Sequence, residues 1–241
     1  MPYYYYYGFD WTYLVILLPC IILSLIASAG VNSTFKKYSK QLSSRNITGA
    51  QAAQRVLYAN GIHSVRIERV GGNLTDHFDP KTNVIRLSDS VFNSTSTAAI
   101  GVACHEAGHA VQYAQQYFPI RVRSVIIPIT NIGSTLAMPL ILAGVLFSSL
   151  GGVFESLIPI GIFCFSLSLI FQLVTLPVEF NASKRAVAAI ENGDLLTDTE
   201  LKGAKKTLRA AAMTYVAATA VAFAQLLRLI ILFGGRNSSR D

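Results

Sequence analysis

The sequence predicts a mainly α protein that crosses a bilayer about four times and carries a small α+β lobe on one membrane face. Three observations lead there. The 241 residues are 52% hydrophobic and only 14% charged, with a mean hydropathy of +0.44, a composition foreign to ordinary soluble domains. Four apolar runs, 13–31, 125–147, 157–176 and 213–233, have the length needed to cross a hydrocarbon core, about 20 helical residues. Basic residues are segregated around these runs: eleven Lys and Arg fall between Asn32 and Ser124, six between Pro177 and Ala212, and only Arg228, Arg236 and Arg240 lie elsewhere.

By the positive-inside rule both basic segments, 32–124 and 177–212, are cytoplasmic, which puts both termini outside a multi-pass protein of the cell membrane. The whole chain, 1–241, reads as one membrane-embedded unit whose lobe is assembled from two pieces. A net charge of +7 concentrated on one face implies orientation and attraction to anionic lipid; no nucleic-acid motif accompanies it, so no nucleic acid is expected as a partner. Asn-x-Ser/Thr matches, among them Asn32, Asn46, Asn73, Asn93 and Asn237, are compositional in this reading, because most of them fall in the cytoplasmic segments.

Taken in order, the first run is an anchor rather than a cleaved signal, since no Lys or Arg precedes it. The tyrosine tract before it, with Trp11, suits an interfacial aromatic belt. A helix follows from about Thr48 to Asn60, with Ala52, Val56 and Leu57 as its apolar stripe and Gly61 as its stop. SVRIERV and NVIRLS then alternate apolar and polar residues on either side of a Gly/Asp/Pro-rich connection, which predicts a small strand pair. Ser94 to Thr97 supplies N-cap residues for a helix from about Ser96 to Tyr117, ending before Pro119. The second segment is helical from about Val178 to Gly193, and Thr197 with Glu200 has capping-box spacing at the start of the last helix. Cys20, Cys104 and Cys164 form no disulfide pattern and read as packing residues.

The sharpest signal is HEAGH. His105 and His109, four apart, project from one helix face and can offer two imidazole nitrogens to a zinc ion. Glu106, one residue beyond the first, is placed to serve as general base to a zinc-activated water rather than as a ligand. A catalytic zinc needs a third protein donor. Six residues beyond His109, where metzincins place a histidine, stands Gln115, and Gln112 occupies the position of their helix-breaking glycine. The candidate is instead Glu179 in LPVEFNAS, three residues past the third span on the same predicted membrane face as His109. Glu191 and Glu200 compete for the role from a more charged region. Gly108 is consistent with a close helix or strand approach beside the metal, and Pro177 can kink the helix that carries Glu179.

LTDHFDP, VIRLS, ACHEAGHAVQ and LPVEFNASKRA together resemble the YugP-like membrane zinc metallopeptidases, and more distantly the gluzincin proteases of the HtpX type. The resemblance covers nearly the whole chain. It implies a zincin-like lobe, one Zn2+ per chain held by His105, His109 and Glu179, and a catalytic Glu106. Ser183 stands where the distant relatives carry Asp, with Asn181 the nearest polar substitute, so Asp76 and Asp79 become candidates for orienting a zinc histidine.

The expected function is zinc-dependent endopeptidase action on peptide or protein substrates, membrane proteins among them, at the cytoplasmic face of the lipid bilayer. The VIRLS strand is the expected site for an extended substrate to add as a strand, by likeness to related proteases. His77 is a candidate catalytic residue for stabilising charge on the substrate oxygen; an exposed loop histidine has the same appearance in sequence. His63 receives no role, and Arg228 is expected to snorkel. Two other classes remain: a site-2-type intramembrane protease, which would need the motif inside a span, and a membrane scaffold holding a structural zinc, which would need a fourth protein donor.

Overall fold

The computed structural model describes residues 11–234. The tyrosines at 3–7, Arg236, Arg240 and Asn237 lie outside the described residues. Among the described residues seven α-helices and three strands follow one another as α1 (Leu18–Tyr38, preceded by a π-helical turn Tyr13–Leu17), α2 (Gly49–Ala59), β1 (Arg66–Val70), β2 (His77–Asp79), β3 (Val84–Ser88), α3 (Asp89–Phe92), α4 (Thr97–Ala114), α5 (Phe118–Leu146), α6 (Val153–Asn192) and α7 (Asp198–Phe233).

Four helices, Tyr13–Tyr38, Phe118–Leu146, Val153–Asn192 and Asp198–Phe233, are long and apolar enough to cross a membrane. They hold the four apolar runs save Phe147, and each extends past its run at one end or both. The helix carrying Glu179 does not restart at Val178 as the sequence suggested: Pro177 lies inside α6, which is unbroken from Val153 to Asn192. Proline removes one backbone donor, and two such losses in forty residues, at Pro159 and Pro177, leave the remaining ladder to hold the helix.

The chain divides into two compact units. One comprises residues 11–26, 125–173 and 216–234 of the described chain. Its helices expose Ile132, Leu142, Phe163 and Ile170, large apolar side chains that water would not tolerate in such density and hydrocarbon would. Within it α5 and α6 approach at Gly161, where an added Cβ would lie 2.8 Å from the carbonyl oxygen of Ala137, the small-residue contact by which apolar helices pack in lipid. Arg228 sits over the ring of Tyr13, 5.5 Å from its centroid, a cation–π contact beyond the snorkelling expected of it.

The other unit, residues 27–124 and 174–215, contains all three strands and the HEAGH helix. Its core joins Val56 and Leu57 of α2, Ile85 and Leu87 of β3, Ile100, Ala103, Cys104 and Ala107 of α4, Ile190 of α6 and Leu208 of α7. Helix α2 begins with a complete capping box, Thr48 accepting from the Gln51 amide and Gln51 accepting from the Thr48 amide. The expected box at Thr197 is half made: Glu200 accepts from the Thr197 amide at 2.9 Å, while the Thr197 hydroxyl pairs with that of Thr199. Burial pushes the Cys104 thiol up to about 12, as a packing residue requires.

The sheet corrects the expected strand pair. Its order is β1-β3-β2, with β1 parallel to β3 and β2 antiparallel to it. The Gly/Asp/Pro-rich connection holds β2, and its DPKTN turn belongs to a β2–β3 hairpin. Asp79 closes that turn by accepting from the Lys81 amide at 3.0 Å and the Thr82 hydroxyl at 2.7 Å. Strand β3 is therefore central and buried at Val84, Ile85, Leu87 and Ser88. Substrate addition to VIRLS is closed off, because both neighbours are already paired and the Ser88 amide donates to Asp76.

Candidate metal centre

Helix α4 is fixed at its start by Ser96, whose hydroxyl accepts from the Ala99 amide at 3.2 Å. Two turns on, His105 and His109 lie on one face with their Nε2 atoms 3.1 Å apart. Helix α6 passes so close to this face that a Cβ on Gly108 would stand 2.8 Å from the carbonyl oxygen of Ala182. Only glycine permits that approach, and it brings in Glu179, whose Oε2 lies 3.2 Å from His105 Nε2 and 3.4 Å from His109 Nε2. The Glu179 side chain is 3% exposed.

Which nitrogens carry protons follows from the partners. The Gln112 amide nitrogen donates to the Val178 carbonyl at 2.8 Å and to Asn181 Oδ1 at 2.9 Å, so the amide oxygen is the atom left facing His109. That oxygen can only accept, at 3.0 Å from His109 Nδ1, so in the neutral ring Nδ1 carries the hydrogen and Nε2 presents a lone pair. Asn181 is itself fixed by Arg185, whose Nε donates to it at 2.7 Å. His105 Nδ1 lies 3.1 Å from the Ser183 hydroxyl. On the far side of the carboxylate, Arg123 Nη1 donates to Glu179 Oε1 at 3.1 Å.

These donors suit a cation of zinc type. Two imidazole nitrogens and one carboxylate oxygen converge with edges of 3.1, 3.2 and 3.4 Å. Bonds of 2.0–2.1 Å in a tetrahedral arrangement imply donor separations of about 3.3 Å. The site also asks for positive charge: burial works against protonating His109, yet the Glu179 hydrogen bond and the charges of Glu106 and Glu179 hold its ring above the ordinary imidazole range. No other group of three or more His, Cys, Asp or Glu side chains able to share an ion occurs among the described residues.

Glu106 is 8% exposed and lines a cavity of about 330 Å³ together with His105, Asp76 and Tyr215. Asp76 is not an orienting partner for either histidine. It accepts from the Ser88 amide at 2.7 Å and the Ser88 hydroxyl at 3.0 Å, and burial pushes its carboxyl above the usual range despite those bonds. Asp79 is likewise elsewhere, held well below the usual carboxylate range by the Thr82 hydroxyl, Arg86 and the Lys81 amide. His77 stands on β2 with Nδ1 at 2.8 Å from the Thr75 carbonyl and Nε2 beside Arg86; it does not line the cavity that His105 and Glu106 share. Glu191 pairs with Lys205 at 2.6 Å, and Glu200 is occupied by the Thr197 and Ser44 amides, so neither former competitor reaches the histidines.

The sequence reading missed three neighbours of this centre. Gln112 carried a signal, since i+3 from His109 is the same helix face. Arg123, 56 residues from Glu179, and Tyr215, whose phenol hydrogen-bonds Glu179, carried none.

Residues 13–234 match a family model described as "Putative neutral zinc metallopeptidase". The chain belongs to that family. It is 45% identical over 218 residues to a protein of Bacillus subtilis (strain 168) named "Putative membrane protease YugP", an alignment covering 90% of this chain and 95% of that one. No solved structure matches the chain. The family's name implies zinc, and the triad of His105, His109 and Glu179 supplies donors of the kind zinc takes.

Proposed function

We propose that the protein is a membrane-embedded, zinc-dependent endopeptidase of gluzincin type, working at the cytoplasmic face. One observation carries the reading: two imidazole nitrogens and a buried carboxylate oxygen converge within 3.4 Å while a second buried carboxylate, Glu106, opens onto the same cavity as His105. Zinc held by His105, His109 and Glu179 supplies a Lewis acid that polarises a carbonyl and makes water acidic enough to react near neutrality.

The chain's own residues do the rest. Glu106 accepts the proton of the attacking water and returns it to the leaving nitrogen, the acid–base work for which its place beside His105 suits it. Gln112 keeps the His109 proton on Nδ1 and so keeps Nε2 available as a ligand. The cavity lined by His105 and Glu106 receives the residues flanking the scissile bond, with Val31, Phe35 and Val102 among its apolar walls. The basic segments 32–124 and 177–212 support the cytoplasmic side for this chemistry and the lipid bilayer as a lasting partner.

The test is zinc content and cleavage of a generic unfolded protein by wild type, Glu106→Gln and Glu179→Ala. The reading requires about one zinc per wild-type chain, a zinc-loaded but inactive Glu106→Gln, and loss of zinc in Glu179→Ala. Cleavage unimpaired in Glu106→Gln would remove the general-base assignment. A wild type that holds zinc and cuts nothing would favour a scaffold with a structural metal.

A further inference from the structure

Resting on that reading, we propose that Arg123 is the residue that positions Glu179 as a metal ligand. Its Nη1 donates to Glu179 Oε1 at 3.1 Å, so one carboxylate oxygen is tied back and the other, Oε2, is turned to the two histidines. Among the described residues Glu179 is the one hydrogen-bond acceptor of Arg123, and the Arg123 Nε is buried without a partner. The half-buried guanidinium faces the buried carboxylate together with the Tyr215 phenol, which also hydrogen-bonds Glu179, a seat that a solvated surface arginine would not keep.

The three ligands are otherwise oriented by neutral groups. An amide oxygen holds His109 and a hydroxyl faces His105, so Arg123 is the cation in hydrogen-bond contact with the ligand set. A charge-assisted bond of this kind is stronger and more directional than a neutral one. Arg123 and Glu179 are neutral as a pair, with the carboxylate end nearer the ligand nitrogens, so the arginine aims the carboxylate without reversing the site's attraction for a cation. Arg123 lies near the start of α5 and Glu179 on α6, so the contact also fixes the carboxylate from a second helix.

The experiment uses the full chain in detergent and measures zinc affinity by chelator competition, with the cobalt(II) absorption spectrum as a second readout. Arg123→Ala should bind zinc about 10- to 100-fold more weakly, the usual loss when a group behind a metal ligand is removed. It should also show an altered cobalt spectrum, while Arg123→Lys recovers part of the affinity. A purely structural brace would lower the melting temperature of the metal-free protein and leave affinity and spectrum alone, which overturns the proposal. Affinity equal to wild type, or tighter, overturns it as well, since release of charge repulsion would then outweigh aiming. If Arg123→Ala does not fold, Arg123→Gln carries the same comparison, and wild-type affinity there is equally fatal. Zinc binding that depends on Arg123 in a chain without protease activity would sustain the positioning role and sink only the hydrolase reading; a wild type that binds no zinc sinks both.

Discussion

Glu179 and Glu200 are both buried glutamates at helix positions near charged neighbours, and both were open as a third ligand in the sequence, yet they serve opposite ends. Glu200 spends its oxygens on backbone donors, accepting from the Ser44 amide at 2.7 Å and the Thr197 amide at 2.9 Å, so it staples the start of α7 to the loop after α1. Glu179 turns one oxygen to an arginine and the other to two imidazole nitrogens, of which His109 Nε2 presents a lone pair when Nδ1 donates to Gln112. A buried carboxylate that meets N–H donors is finished as it stands. One that meets lone pairs is complete only with a cation.

That contrast can be broken by substitution, and the largest effects fall on the metal side. Glu106→Gln should lower turnover by about 10²- to 10⁴-fold, with zinc content by elemental analysis unchanged. Gln112→Ala should weaken zinc about 10- to 100-fold in a chelator titration, because His109 loses the oxygen that fixes its Nδ1 proton. Glu200→Ala should destabilise the protein by about 1 kcal/mol in denaturant unfolding, because two partly exposed amides lose their acceptor, with zinc affinity untouched. A loss of zinc there would erase the distinction between the two glutamates.

The smallest expected effect is a pH dependence at Asp79. Its folded-state carboxyl titrates below the ordinary range, so its contribution to stability is present above the unfolded value of about 3.9 and fades as pH falls below it. Asp79→Asn should therefore flatten the acid limb of a stability-versus-pH curve and leave the neutral plateau and the zinc affinity in place. A change in zinc affinity would tie the β2–β3 turn to the metal centre after all.

Local patterns carried much of this molecule into view. Ser96 as a cap, the four-residue spacing of His105 and His109, and the apolar runs all depend on neighbours in sequence, and each is found where its pattern puts it. Gly108 pointed to a close approach, which the structure assigns to a helix rather than a strand. What failed was long-range or cumulative. Strand β2 is three residues long, too short for alternation to register, and without it β3 looks like an open edge rather than the central strand it is. Pro177 is a helix breaker by local rule, overridden by a ladder that extends on both sides of it. Arg123 meets Glu179 only because two helices return to the same place, and nothing in either segment announces the other.

The contact at Gly108 has a further meaning for how such a protein tolerates change. Between the two metal-facing helices there is no side chain at that point, only the backbone of α4 against the carbonyl of Ala182. The gauge that separates the histidines from Glu179 is thus main-chain thickness, which substitution elsewhere in the core does not alter. Residues such as Val56, Leu57 and Ile100 are free to drift toward other apolar types while the ligand spacing stays calibrated, and the one edit that resets the gauge is the addition of a methyl group at position 108.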